Sequence, residues 1–478
     1  MAEHAPHSRA ALAARYGRRY RWWVLVTVMI GTMASIMAST IVNVAVPDMS
    51  RQFTLGQDRA QWLSAGFMAA MTLSMLTTPW LLDRYGYRHT YAGAVLLLMV
   101  GGICGGSSPW FSLILAMRVA EGLAAGVLQP IPAIVVMHAF ARGEQGRAMG
   151  IFGFGVVLAP AIGPSVGGVL VEWWGWRSIF FVVVPFCLVA LMLARRFLPV
   201  GAPGGRAVDP DGARIDGVGL ALIAAAVLAL LNAMVSVQSG EAATASTLFA
   251  ACGLAVGAFV ALERRREHPL MRLDLFAHRP FAMGGCVAFI YGMGLFGSTY
   301  LVPVFMQIAL RLPPSQAGAV LLPAGIVLAV TMPLGGRLAD RFPVNRIVVI
   351  GLGMLALSFA LMLGVDGATS LAVIALWASI GRVGLGFVMP SLNLGAMRGL
   401  ANAAISHGSS TINFLRQLGG AVGVSLVGSV LEWRLRTETG APLRAFHETF
   451  ALVGAITAVA MIAAWRIGAA RAPFDAPK

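Results

Sequence analysis

This chain is poor in charge. Asp, Glu, Lys and Arg make up 12% of its 478 residues, against about 25% in an average soluble domain. Acids are scarcer than bases, 20 against 35. Lysine is all but missing: Lys478 stands alone, so 34 of the 35 basic residues are arginine. The net charge of +15 would suit nucleic acid if the arginines formed one patch. They punctuate apolar runs instead, and no nucleic-acid partner is expected. There are 4 cysteines, Cys104, Cys187, Cys252 and Cys286, and each falls inside an apolar run. That argues against disulfides and against a metal cluster. Signatures of chemistry are missing as well. No GxxxxGK[ST] occurs, so ATP is not the energy source within this chain, and no HExxH or nucleophile–base constellation marks an intramembrane enzyme. The GSS at 408–410 after His407 reads as helix packing. Neither a cofactor nor a metal is expected.

What the chain has in abundance is apolar sequence, 58% of residues, with mean hydropathy +0.79. It reads as an all-α polytopic membrane protein. Fourteen apolar spans are predicted, at 22–46, 60–82, 89–108, 110–137, 147–170, 178–198, 216–238, 243–262, 281–308, 315–336, 346–364, 370–397, 404–431 and 447–468. Around them lie a basic cytoplasmic tail (1–21), a Gly/Pro-rich cytoplasmic linker (199–215), a cytoplasmic loop (263–280) and a short tail (469–478). With the N-terminus inside, 25 Arg and Lys fall in cytoplasmic segments, 7 in outer loops, and Arg118, Arg382 and Arg416 within spans. This positive-inside asymmetry places both termini in the cytoplasm. Because the run from Trp22 to Val46 is long and more spans follow, the start of the chain does not read as a cleaved signal.

One span stands apart. In LILAMRVAEGLAAGVLQPIP (113–132), Glu121 lies roughly 16 Å from Trp110 at about 1.5 Å per residue. That is near the middle of a bilayer about 30 Å thick. It is the one acid placed clearly mid-span. An isolated charge at that depth costs at least about 2.5–3.5 kcal/mol, so it should face other helices or a wet cavity. Arg118, three residues earlier, shares its helix face and can pair with it. The pair is the proton-coupling candidate; a structural ion pair that locks helix packing is the competing reading. Other polar groups at membrane depth are candidates for a substrate cavity: Asn43, Gln129, Tyr291, Tyr300, Gln307, Arg382, Asn393, Asn413, Arg416 and Gln417. Interhelical hydrogen bonding is the plainer role for each. His138 and His407 near span ends are weaker relay candidates.

The chain also repeats itself. WLLDRY (80–85) recurs as RLADRF (337–342), and RVAEG (118–122) as RVGLG (382–386), with Leu385 in the place of Glu121. Two six-span bundles (22–198 and 281–468) with two extra spans (216–262) between them would produce these offsets. Transporters are commonly built from such repeats, with the substrate site near the midplane.

LLDRYGYRH (81–89), RVAEG, APAIGPSVGG (159–168), WGWRSIFFVVVP (174–185), PLMRLDLF (269–276) and INFLRQLGGAVG (412–423) stand in an order that resembles the major facilitator superfamily. Within it the chain is most similar to the fourteen-span drug:proton antiporter subgroup, the EmrB/QacA type, over about residues 30–465. The resemblance implies a major facilitator fold and secondary efflux of lipophilic small molecules by proton antiport and alternating access. It further implies residence in the bacterial cytoplasmic (inner) membrane. The substrate, protons and the lipid bilayer are then the partners, with a periplasmic adaptor protein as a further one, since the short outer loops bring no docking domain.

The resemblance also distributes roles. Asp83, Arg84 and Arg88, with Arg337, Asp340 and Arg341 in the second half, fall at the loop motif and are expected to act as a charge-cluster gate, with a simple topogenic loop, which needs the arginines but not the aspartates, as the competing reading. Gly155, Pro160, Gly163, Pro164, Gly167 and Gly168 match the span-5 antiporter motif and are expected to pack closely against a span of the other half; Gly419, Gly420 and Gly423 are expected to serve similarly in span 13. Two departures stand out. Pro79 replaces a usual glycine, and Ala38, in MASTIVNVAVP, replaces the usual membrane aspartate. Coupling would then rest on Glu121, and a lipid or metabolite exporter with altered or no proton coupling is the alternative function. With one mid-span acid against three in-span arginines, neutral, weakly acidic or singly charged substrates are expected over dications.

Overall fold

The computed structural model describes residues 9–210, 214–437 and 442–468. They form helices and connecting turns, with no strand among the described residues. In chain order the helices are α1 (Arg9–Tyr16), α2 (Tyr20–Gln52), α3 (Gln57–Ser74), α4 (Thr78–Ser107), α5 (Phe111–Leu128), α6 (Ile131–Ala139), α7 (Gln145–Trp174), α8 (Ser178–Phe181) and α9 (Val183–Phe197). There follow α10 (Gly217–Gln238), α11 (Ala242–Glu263), α12 (Arg279–Ile308), α13 (Pro314–Arg341), α14 (Val344–Met362), α15 (Leu371–Met397), α16 (Ile405–Thr437) and α17 (Pro442–Trp465). Helices dominate because hydrocarbon offers no partner to a backbone amide, so each segment must bond its own.

Twelve helical stretches among the described residues are long and apolar enough to cross a membrane, where fourteen were expected. The difference has two sources. The expected second and third spans form one helical stretch of 49 residues, Arg59–Ser107. The expected fifth span, α7, is not among the twelve; it is a 30-residue helix, and the side chains at 161, 162, 164 and 165 lie outside the described ones. The long stretch is not straight. Gly86 interrupts it with φ 74° and ψ 174°, a backbone state that L side chains rarely adopt.

Many large apolar side chains are exposed. On α13, Leu322, Ile326, Val330 and Leu334 recur at four-residue spacing, and the first is 65% exposed. Four-residue spacing puts them on one face. Such a stripe is a liability in water and is the surface that lipid requires.

The chain divides into two compact units. The first comprises Met1–Arg142, Phe152–Ile215 and Ala401–Ser410. Its core joins Ile41, Val42, Ala45 and Met49 of α2 to Leu63, Ile114, Trp176, Ile179 and Phe180. Glycines let the helices close up. A Cβ at Gly122 or Gly126 of α5 would fall on the carbonyl oxygens of Phe67 and Met71 in α3. Gly31 of α2 leaves room for the Tyr91 ring, whose hydroxyl donates to Thr27 O at 2.5 Å and accepts from Gly31 N at 3.1 Å. A buried phenol thereby meets both of its hydrogen-bonding needs.

Residues 199–210, part of the expected linker, are packed against the start of α4. Tyr87 N donates to Gly201 O (3.1 Å), Arg88 Nε to Leu198 O (2.9 Å) and Asp209 N to Asp83 O (3.0 Å). Gly86 is required here, because a Cβ at that position would fall on Val200 O.

The second unit comprises Gly143–Ile151, Asp216–Leu400 and Thr411–Lys478. Phe305, Phe446 and Phe450 meet edge-to-face at centroid distances of 5.3 and 5.5 Å. Here too glycine decides the closest approaches: Gly292 of α12 touches the Arg416 carbonyl of α16, and Gly384 of α15 touches the Gly351 carbonyl of α14.

Candidate functional site

In the first unit, α5 carries Arg118 and Glu121 into the interior, each 1% exposed. Arg118 Nη1 donates to Glu121 Oε2 at 2.6 Å, the pairing that the spacing predicts. The surroundings were not legible from spacing. Arg118 Nε donates to Leu63 O and Nη1 also to Ala38 O, both at 3.2 Å. The guanidinium carbon lies 4.3 Å from the Phe67 ring centroid, a cation–π contact. Nη2 has no hydrogen-bond partner. Glu121 lies against Gly101 and Gly102 of α4, where a Cβ would meet its side chain at 2.6 and 3.4 Å. The Gly-Gly pair in span 3 is the one sequence signal that could have located this seat. Arg118 thus reaches the backbone of Ala38, the position that lacks the usual acid, and one of its nitrogens is left without an acceptor.

The two loop motifs do different work. Asp83 Oδ1 accepts from Arg206 Nη2 at 2.7 Å, a partner that the sequence reading missed. Arg84 lies over Trp80 and Tyr85, 5.6 and 5.8 Å from their centroids, and Arg88 holds Leu198. In the second unit Asp340 caps a helix instead. Its Oδ1 accepts from Gly146 N and its Oδ2 from Arg147 N, both at 2.7 Å, at the start of α7. A carboxylate there meets unpaired amides and the positive end of the helix dipole. Gly336 and Gly146 touch backbone to backbone beside it, while Arg337 and Arg341 are exposed.

These geometries rank the two aspartates. Asp340→Ala removes two charge-assisted bonds and should cost about 2 kcal/mol. Asp83→Ala breaks a pair whose side chains are 45% and 37% exposed, and should cost no more than about 1 kcal/mol. Thermal midpoints of the purified variants check this; a larger loss for Asp83→Ala would contradict it.

The span-5 glycines face α2 of their own unit, where a span of the other half was expected. A Cβ at Gly155 would meet Met29 Sδ at 2.6 Å, at Gly163 Thr40 Oγ1 at 3.0 Å, and at Gly167 Ile41 Cγ1 at 2.7 Å. Gly168 meets nothing within 4 Å. Pro160 is half-buried, and the Pro164 side chain lies outside the described ones. Gly419, Gly420 and Gly423 of α16 press on Phe289, Phe296 and Met293 of α12.

The cavity candidates scatter. Asn43 is exposed and accepts from Ser64 Oγ at 2.7 Å; Gln129 is half-buried just past α5. Gln307 and Asn393 donate to carbonyls of their own helices, Pro303 O (3.3 Å) and Met389 O (3.2 Å). Tyr300 lines a cavity of about 400 Å³ with Val235, Gln238 and Glu432, where α10 meets α12 and α16. The other five candidates lie on three helices of the second unit. Tyr291 of α12 is 1% exposed, and its buried hydroxyl has no hydrogen-bond partner. Arg382 Nη2 donates to Thr299 Oγ1 at 3.2 Å, and Arg416 Nη2 to Asn413 Oδ1 at 3.3 Å. Gln417, one residue on, is 7% exposed. Among the described residues His138, expected as a weak relay, meets its own helix carbonyl, Ile134 O, at 2.9 Å.

Comparison with known proteins agrees with this architecture. The profile of the Major Facilitator Superfamily matches residues 28–424. The chain is 31% identical to a multidrug resistance protein B homolog of Mycobacterium tuberculosis (strain ATCC 25618 / H37Rv) over 420 residues, 86% of this chain and 77% of that one. It is 25% identical to the lincomycin resistance protein LmrB of Listeria monocytogenes over 447 residues, 92% and 91% of the two chains. The crystal structure of the human organic anion transporter MFSD10 (TETRAN) shares the fold, with a TM-score of 0.66 at 16% identity, covering 93% of this chain and 99% of that one. A chain whose described residues are helical and include twelve stretches long and apolar enough to cross a membrane, matched by that profile over most of its length, is an integral membrane transporter of the Major Facilitator Superfamily.

Proposed function

We propose that the protein is a secondary active transporter that exports lipophilic small molecules by proton antiport with alternating access. The observation that carries this reading is an asymmetry. The first unit encloses one acid with one arginine, Glu121 with Arg118, whereas Arg382 and Arg416 in the second unit meet no carboxylate among the described residues. A mid-membrane acid is a default functional site, and its partner is named. The resistance proteins to which the chain is similar support the direction of transport. The alternative, a lipid or metabolite exporter with altered or no proton coupling, is favoured by Ala38, whose position carries no acid for Arg118.

The same reading extends to topology. Gly86 divides the 49-residue stretch, and α7 carries only Arg147 and Glu172 as charges over 30 residues. Counting two spans in the first and one in the second restores fourteen, as in the EmrB/QacA type, with both termini on the cytoplasmic side of a bacterial inner membrane. The division into bundles at 22–198 and 281–468, with an extra pair at 216–262, belongs to this proposal. Cysteine in place of Gly143 should then be labelled from the cytoplasm alone, and in place of Glu241 from outside alone. Labelling of the second from the cytoplasm would break the scheme.

Function is tested by uptake into inverted membrane vesicles. An imposed proton gradient should drive accumulation of neutral and singly charged lipophilic compounds, with dications the poorest. Accumulation indifferent to the gradient would favour the alternative.

A further inference from the structure

We propose that an anionic phospholipid binds where α1 meets the end of α9, its headgroup held by Arg15 and Arg196 and one acyl chain lying along α9. This goes beyond the export reading and does not depend on it.

Two segments of the first unit, 180 residues apart in sequence, build the site. Leu12 of α1 is 2% exposed, and Tyr16 meets Phe197 of α9 edge-to-face at 5.2 Å. Arg196 Nε donates to the Tyr16 hydroxyl at 3.3 Å. The guanidinium carbons of Arg15 and Arg196 lie 5.6 and 5.9 Å from the centroid of the Tyr16 ring, so two cations flank one ring. Arg18, Arg19 and Arg195 stand beside them in sequence. All five arginines are exposed, and none has an ion pair among the described residues. No acid occurs in 9–47 or 173–208 to supply one.

Position decides what this patch can take. α2 begins at Tyr20 and α9 ends at Phe197, so the arginines stand at the shared end of two apolar helices, where the hydrocarbon gives way to headgroups. Trp23, 44% exposed and stacked on Phe197 at 5.2 Å, is the kind of residue that marks this level. Deeper along α9, Leu188 and Met192 precede Arg196 at four-residue spacing and share its face. They are 49% and 63% exposed. A cationic end above an exposed apolar stripe is the complement of an anion that carries a hydrocarbon chain. A phosphodiester offers two oxygens to the guanidinium fork. Basic clusters immediately outside a span recognise anionic lipid in this way. A free anion would meet the arginines and leave the stripe unused.

The test counts lipids retained by the purified full-length protein in native mass spectrometry. Dioleoylphosphatidylglycerol and dioleoylphosphatidylcholine are offered in equal amounts in detergent micelles. They share chains and phosphodiester and differ in net charge. The wild type should retain phosphatidylglycerol over phosphatidylcholine by at least about fivefold. Arg15→Gln and Arg196→Gln should each lower phosphatidylglycerol retention about fivefold and leave phosphatidylcholine unchanged. Unchanged phosphatidylcholine retention also shows that the variants are folded. Arg264→Gln, at an exposed arginine of the second unit, should alter neither count. Inorganic phosphate in large excess should not displace the lipid, because it has no chain for the α9 stripe. Equal retention of the two lipids by the wild type, or parallel loss of both in the Arg15 and Arg196 variants, would overturn the site. So would an equal loss from Arg264→Gln, which would leave only net charge, or displacement by phosphate, which would leave a free-anion site. Vesicle uptake reports on export separately, and its failure would leave these lipid counts standing.

Discussion

Arg118→Met should cost the protein about 3–5 kcal/mol, while the double variant Arg118→Met, Glu121→Leu should be about as stable as the wild type. Both charges of the pair are 1% exposed and meet at 2.6 Å. Removing the arginine leaves a carboxylate buried against Gly101 and Gly102 with no cation to balance it. Removing both charges eliminates the desolvation penalty along with the attraction, and well-packed apolar replacements of buried pairs are often neutral or stabilising. Thermal midpoints and the folded fraction on size exclusion report the outcome. If the double variant were as unstable as Arg118→Met, the bonds to Leu63 and Ala38 and the contact with Phe67 would outweigh the ion pair. The comparison also divides two roles. A pair kept only for packing can be replaced by apolar residues without loss of transport, whereas a pair kept for coupling cannot.

Glu121→Gln should leave the protein in the membrane and abolish substrate-driven proton movement. The amide keeps an oxygen within reach of Arg118 Nη1, and the guanidinium keeps its bonds to Leu63 O and Ala38 O, so the loss of stability is smaller than in Arg118→Met, while the amide carries no transferable proton at this position. Ala38→Asp in the same variant should recover part of the coupling. Nη1 of Arg118 is 3.2 Å from the Ala38 carbonyl, and Nη2 has no acceptor. A carboxylate grown from that residue therefore returns the missing negative charge from α2 to the nitrogen that lacks one. Recovery of stability without proton movement would make this locus a packing device and send the coupling role to an acid at a span end.

How far the sequence discloses this molecule depends on the range of each interaction. Helical spans are legible because lipid forces every apolar segment to satisfy its own backbone. The Arg118–Glu121 pair is legible because both members lie on one helix, three residues apart. Partners on other elements are not. Asp83 meets Arg206 across 123 residues, and nothing in a Gly/Pro-rich stretch singles that arginine out. Asp340 meets backbone amides of Gly146 and Arg147, and an amide leaves no trace in composition. Small residues announce close packing without naming the mate, which is how the span-5 glycines were expected on another half and are found on α2. Arg382 was legible as a polar group at membrane depth, but its partner Thr299 lies on another helix and was not. The span count illustrates the same limit: hydropathy separates the second and third spans, while the structure carries helix through them with one break at Gly86.

Substrate-driven proton movement in proteoliposomes tests the central claim most directly. Purified wild type and Glu121→Gln are reconstituted with a trapped pH indicator, and a compound that the inverted vesicles accumulate is added without an imposed gradient. The wild type should show a substrate-dependent pH change and Glu121→Gln none, with substrate binding retained in both. An equal pH change in the two proteins would contradict the assignment of the coupling proton to Glu121.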